Sequence, residues 1–146
     1  MTMSRLLRSV AAVMTLSLVT VACSGSAPTT VDSTITPLSF NTQTFEGTLA
    51  VQGTGFYSFV VQQQGPTSLT LAAVQSPGGA ALSTVVGIGV GIPSGTGCAR
   101  FLSQSSAPGL SAQVTTTLNP GTYCAAVFDV GNLTAAVNFA MRIKHP

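Results

Sequence analysis

Few side chains in this 146-residue sequence carry groups able to do chemistry: three cysteines (Cys23, Cys98, Cys124), three acids (Asp32, Glu46, Asp129) and one histidine, His145. Asp32 lies in a Ser/Thr/Pro-rich stretch, so a carboxylate pair of the kind that hydrolyses glycosides would have to be Glu46 and Asp129, with no supporting motif. A serine with Asp129 and His145 would complete a triad in name. However, G-x-S-x-G is absent, and His145 at the last position but one reads as solvent-exposed end matter. Two distant cysteines and that histidine are too few for a metal centre, and redox catalysis lacks its C-x-x-C. We therefore expect a non-enzyme, with no catalytic residue, no metal ligand and no cofactor. The most unusual local feature is Val86 to Ile92, where Gly87, Gly89 and Gly91 alternate with Val and Ile. Such a strand has one side-chain face and one bare backbone face, and interior glycine marks close approach by something else. Two readings stand: a loop, aromatic ring or facing sheet packs on the bare face, or the face is a shallow groove for a sugar ring or a partner strand. A dinucleotide loop fails on context, because Pro93-Ser94-Gly95 follows where a helix should begin.

Those groups sit in a chain of low charge. Charged residues make up 5% of it, hydrophobic residues 45%, and it has 15 Gly and no Trp. Five scattered Lys and Arg cannot form a phosphate-neutralising patch, which excludes a nucleic-acid partner. The same scarcity excludes coiled coils and highly charged disordered chains, and the length suits one domain.

The first 22 residues have the layout of a signal peptide. Arg5 and Arg8 form the basic start, and Val10 to Ala22 runs without a charge. That run is too short for a bilayer-spanning helix, which needs about 20 apolar residues. Thr20-Val21-Ala22-Cys23 resembles the Leu-small-small-Cys box of bacterial lipoproteins, with Thr20 and Val21 departing from the commonest residues. The resemblance implies cleavage before Cys23, lipidation of Cys23, and partnership with a membrane through that lipid. Ser24 rather than Asp at the next position implies the outer membrane. Two or three acyl chains anchor a protein far more firmly than one. An ordinary secretory peptide, cut after Ala22, is the alternative. With Cys23 lipidated, Cys98 and Cys124 remain as an even pair in an oxidising compartment, and we expect a structural disulfide between them.

Residues 23–38 read as the lipidated cysteine and a Ser/Thr/Pro tether, and residues 39–146 as the folded domain. Ser24 to about Thr36 would reach about 20 Å as a flexible chain. From Phe45 the pattern has period two. Phe45, Gly47, Leu49 and Val51 share one face of a first strand, and Tyr57, Phe59 and Val61 that of a second. Gly65-Pro66 breaks the chain, and Leu69, Leu71 and Ala73 begin a third strand. Further strands run over about 84–92, 98–103, 112–118 and 122–130. The last is Leu133 to Lys144, with Ala135, Val137, Phe139, Met141 and Ile143 inward. Seven to eight strands separated by turn signals predict an all-β, antiparallel sandwich. Asp129-Val130-Gly131-Asn132 reads as a hairpin loop in which Asp129 or Asn132 satisfies local N–H groups, an ion site being the other use. The Asn132-Leu133-Thr134 sequon marks the same turn. Arg142 and Lys144 share a face of the final strand and read as protection of a sheet edge.

Phe45-x-Gly47-x-Leu49, Phe56-Tyr57-Ser58-Phe59-Val60-Val61 and Leu118-Asn119-Pro120-Gly121-Thr122-Tyr123 together resemble the bacterial pre-peptidase C-terminal domain. The similarity spans roughly 45–146 and implies a small jelly-roll-like sandwich of secreted proteins. Some relatives carry an acidic D-x-D segment on the middle strand and bind calcium. Here that strand reads Val86-Gly87-Ile88-Gly89-Val90, without the acids. Tyr123, just past Pro120-Gly121, is expected to act as a tyrosine corner, its hydroxyl bonded back to the backbone. The expected function is a lipid-anchored structural or protein-interaction module of the cell envelope, with an envelope protein or a glycan as partner. A carbohydrate-binding surface module is the alternative, against which stand the missing Trp and the core-facing Tyr57 and Tyr123.

Overall fold

The structure, a computed structural model, describes residues 37–146. The stretches read as signal peptide and tether, with Cys23 between them, lie outside the described residues up to residue 36. Eight strands follow in order: β1 (Asn41–Leu49), β2 (Thr54–Val61), β3 (Gly65–Gln75), β4 (Val86–Ser94), β5 (Gly97–Ser106), β6 (Val114–Leu118), β7 (Gly121–Phe128) and β8 (Val137–His145). One sheet has the order β1-β8-β3-β6 and the other β2-β7-β4-β5, with every pairing antiparallel. This interleaving is the strand order of a jelly roll, and the expected all-β sandwich is what the chain forms. Only β4 and β5 are consecutive strands paired within one sheet; the other connections arch between sheets.

The period-two faces meet in one core. Leu49, Phe59, Val61, Leu69, Leu71, Val86, Ile88, Val90, Val127, Val137, Phe139, Met141 and Ile143 are all buried in it. Local differences from the sequence reading have identifiable causes. Val51 is exposed because β1 ends at Leu49 and the chain turns. Gly65-Pro66 begins β3 rather than breaking the chain. Pro66 lies where β3 pairs only with β6, ahead of Ser68 where β8 joins, so no bond to β8 is lost to its missing N–H. A bulge at Ala72 shifts the register, and Val74 rather than Ala73 then points inward. β8 starts at Val137, leaving Ala135 exposed, and Leu133 is buried from the preceding loop.

Topology corrects two further expectations. β8 lies between β1 and β3, so Arg142 and Lys144 protect no edge. They stand on the outer face, flanked by Thr44 and Thr70 and by Thr42 and Ser68. β7 and β8 belong to different sheets, so Asp129–Asn132 is part of an arch between sheets and not a hairpin. Leu38, placed with the tether, packs close to Gly65.

Candidate functional site

Cys98 on β5 and Cys124 on β7 form the expected disulfide, with Cα atoms 5.9 Å apart and 26 residues between them in sequence. They belong to strands on opposite sides of β4, which neighbouring-strand spacing alone would hold well apart. The glycines make the approach possible. Gly91 pairs with Cys124 on one side and Arg100 on the other, where the register of β5 shifts by one residue at Phe101. A Cβ on Gly91 would collide with the Ala99 carbonyl and with the Arg100 backbone. β5 therefore curls over Gly91 and carries Cys98 across to Cys124.

The same packing disposes of the groove. Gly87, Gly89 and Gly91 are all buried. A Cβ on Gly87 would collide with the Cε2–Cζ edge of the Phe128 ring, and one on Gly89 would lie 2.7 Å from the Leu102 carbonyl oxygen. The Arg100 guanidinium closes over Phe128, 4.0 Å from the ring centroid, a cation–π contact that holds the ring down. Of the two readings of the bare face, packing by a neighbouring aromatic and by β5 is what the structure contains. A sugar or a partner strand has no access to these glycines.

The acids do not form a catalytic pair. Glu46 is exposed on β1 of one sheet, and Asp129 follows β7 of the other. The Asp129 carboxylate accepts hydrogen bonds from the backbone N–H groups of Gln52, Gly131, Asn132 and Leu133, at 2.8 to 3.3 Å. Its own N–H donates to the Gly53 carbonyl at 3.0 Å, so one residue ties the β1–β2 arch to the β7–β8 arch. The Gln52 N–H is the largest of the influences that hold its pKa below the ordinary 3.8, with burial opposing. An ion would have to displace those donors, so the Asp129 loop is structural. Asn132 completes it by donating from its side-chain amide to the Val85 carbonyl at 3.0 Å. Among the described residues no three His, Cys, Asp or Glu side chains gather to hold a metal.

The tyrosine-corner role passes from Tyr123 to Tyr57. Tyr57 donates its hydroxyl to the Glu46 carbonyl at 2.8 Å, latching β2 to β1 across the sandwich, and its ring stacks on Phe45. Gly47 leaves the room: a Cβ there would sit 2.6 Å from the Tyr57 hydroxyl. Tyr123 instead contributes its ring, between Phe59 and Phe101.

His145 is the largest departure from expectation. It is 3% exposed, belongs to β8 and lies against the Phe59 ring with centroids 5.2 Å apart. Proximity to the end of the sequence suggested an exposed residue, but the strand it closes is interior to its sheet. Alternation along Met141, Ile143 and His145 was the signal that it faces inward. Its Nδ1 lies 3.1 Å from the main-chain oxygen of Pro146, which in turn accepts the Gln62 N–H at 3.2 Å. Its Nε2 is buried and has no partner among the described residues. His145 forms part of the floor of a cleft of about 550 Å³ at one end of β1 and β2, walled by Asn41, Gln43, Gln62 and Gln63. In sequence, the chain matches no protein-family model and none of the curated proteins.

Proposed function

We propose that this is an exported lipoprotein, held at the cell envelope, at the outer membrane, by acyl chains on Cys23. Its jelly roll serves there as a non-enzymatic structural or protein-interaction module. The observation that carries the reading is the Cys98–Cys124 bridge. It uses two of the three cysteines and leaves Cys23, which closes the signal box behind Ala22. A disulfide bridge also suits an oxidising compartment, which is where a lipoprotein signal would deliver the chain. Saturation of the Asp129 carboxylate by backbone donors fits a scaffold better than an acid–base site.

The test is growth with an alkyne-bearing fatty acid, followed by membrane fractionation of the wild type and of Cys23→Ala. The wild type should take up label and sediment with the outer membrane, and the variant should lose both. Equal sedimentation of the unlabelled variant would remove the lipid anchor from the proposal. In-cell cross-linking with mass spectrometry then identifies what the module contacts. The carboxamide-walled cleft favours a second reading, a carbohydrate-binding surface module.

A further inference from the structure

The loop joining β5 to β6 holds out an apolar side chain from a braced backbone. Leu110 is 91% exposed. On one side of it the Gly109 N–H donates to the Leu71 carbonyl at 2.9 Å, and on the other the Gln113 N–H donates to the Leu69 carbonyl at 3.0 Å. The Gln113 Oε1 also accepts the Leu71 N–H at 2.8 Å, so the loop is tied to β3 at both ends. One exposed leucine is ordinary in itself. What sets this one apart is its neighbours.

Leu110 borders a groove on the outer face of the β1-β8-β3-β6 sheet, with Thr42, Ser68, Thr70, Arg142 and Lys144. No acid lines that groove. Glu46 lines the next groove along the face, with Asn138 and Ala140. Asp129 bonds to Gln52 in the arches at the other end of β1 and β8. Two cations therefore stand toward the end where the chain enters β1, and the two acids of the described residues stand away from it. The third cation, Arg100, is on the other sheet, closed over Phe128. Phe40, just ahead of β1, is 43% exposed and adds a second apolar group, with the Lys144 ammonium 4.7 Å from its ring centroid.

Exposed leucine and phenylalanine beside two uncountered cations suit an anionic lipid surface. Cations meet phosphates there, and apolar side chains enter the boundary between headgroups and acyl chains. The hydroxyls of Thr42 and Ser68, which flank Lys144, offer further donors to phosphate oxygens. Thirteen residues separate Cys23 from Pro37. A flexible chain of that length reaches about 20 Å, which keeps this face within range of a bilayer that holds Cys23. Two cations and a leucine bind such a surface weakly when free, but a tether makes the contact intramolecular.

We propose that the outer face of the β1-β8-β3-β6 sheet docks on an anionic phospholipid surface, with Leu110 and Phe40 in the lipid interface and Arg142 and Lys144 on the phosphates. This docking rests on the lipid-anchored reading for what brings the face to the membrane. It adds an orientation, since the domain would lie on one sheet rather than stand free on its tether.

The sequence has no Trp, so Leu110→Trp and Val130→Trp each install a single fluorescent reporter. Both positions are exposed, the first beside the cations and the second in the far arch. Residues 23–146 contain every strand and every core residue. They would be coupled through Cys23, the one cysteine outside the bridge, to a maleimide phospholipid in vesicles with brominated acyl chains. The vesicles would be phosphatidylcholine with or without phosphatidylglycerol. With phosphatidylglycerol, emission from Leu110→Trp should move to shorter wavelength and be quenched, while that from Val130→Trp should not. Quenching should disappear without phosphatidylglycerol, with Arg142→Gln and Lys144→Gln added, or in about 1 M salt, where screening falls to about 3 Å. Absent quenching at position 110, equal quenching of the two reporters, or quenching indifferent to the paired Gln change would each overturn the proposal. A wavelength shift without quenching would overturn it too, by showing that a second copy covers Leu110. Maleimide coupling bypasses lipidation in the cell, so failed labelling of Cys23 would remove the anchor and leave these readings standing, and absent quenching would leave the anchor standing.

Discussion

Asp129 and Thr67 show how single polar groups act in this fold with opposite signs. Asp129 is ionised and fully engaged, its carboxylate bonded to backbone donors from two arches. Its pKa in the folded state lies below the ordinary 3.8, so the folded protein holds the ionised form more strongly than the unfolded chain does. The contribution to stability is fully present above the unfolded pKa and disappears as pH falls through the folded one. Urea unfolding should thus show a midpoint that declines below about pH 4, the ordinary range for a carboxyl group. Asp129→Ala should lower the midpoint at pH 7 and flatten that decline; an unchanged acid limb would mean that another group carries it. Thr67 is the reverse case. It is wholly buried on β3, and its hydroxyl has no partner among the described residues. Thr67→Val keeps the shape and removes the unpaired group, so stability should rise by about 1 kcal/mol. A loss of stability on denaturant titration would instead reveal a water or side chain bonded to that hydroxyl.

At the level of elements, the glycine-rich strand β4 and the hairpin it makes with β5 are the most constrained part of the sandwich. Gly87 is the seat of the Phe128 ring, so Gly87→Ala must displace the ring from under Arg100. The expected loss is about 1–3 kcal/mol, as for other overpacked interiors. Phe128→Leu should cost less when Gly87→Ala is already present than it does alone, and a double-mutant cycle measures that coupling. Additivity would place the ring elsewhere. The disulfide closes the same region: converting both Cys98 and Cys124 to Ala should cost about 3 kcal/mol on the chain-entropy model, seen as a melting temperature lower by several degrees. This region also shows what a sequence discloses. The alternation of Val86, Ile88 and Val90 with glycine fixes one inward face and signals close approach, both of which hold. It says nothing of which neighbour fills the bare side, because Phe128 arrives from β7 and Arg100 from β5. Strand faces depend on local period and were legible. The Ala72 bulge, the interior position of β8 and the role of Tyr57 depend on partners distant in sequence, and were not. The Nε2 of His145 belongs to this second group, since its environment is assembled from β1, β2 and β8.

Taken as a whole, the molecule is nearly neutral once residues 1–22, the proposed signal peptide, are set aside. Arg5 and Arg8 lie in that stretch, and without them Arg100, Arg142 and Lys144 stand against Asp32, Glu46 and Asp129. The charge of +2 for the full sequence therefore comes from those two arginines. With so little charge, long-range electrostatic steering of any partner is weak. Stability likewise rests on apolar packing. Every residue of the core cluster, from Phe45 to Ile143, lies within the two sheets and the segments that join them. The fold should then be self-sufficient from residue 37 onward. A chain of residues 37–146 should melt within a couple of degrees of one of residues 24–146, both compared without Cys23 by calorimetry under oxidising conditions. Leu38 sets the finer boundary, because it covers Gly65 at the start of β3. Removing residues 37–40 as well should lower the melting temperature, through loss of the Leu38 contact and of the Phe40 ring that the Lys144 ammonium holds. A large drop on removing residues 24–36 alone would mean that the stretch read as a tether is part of the domain.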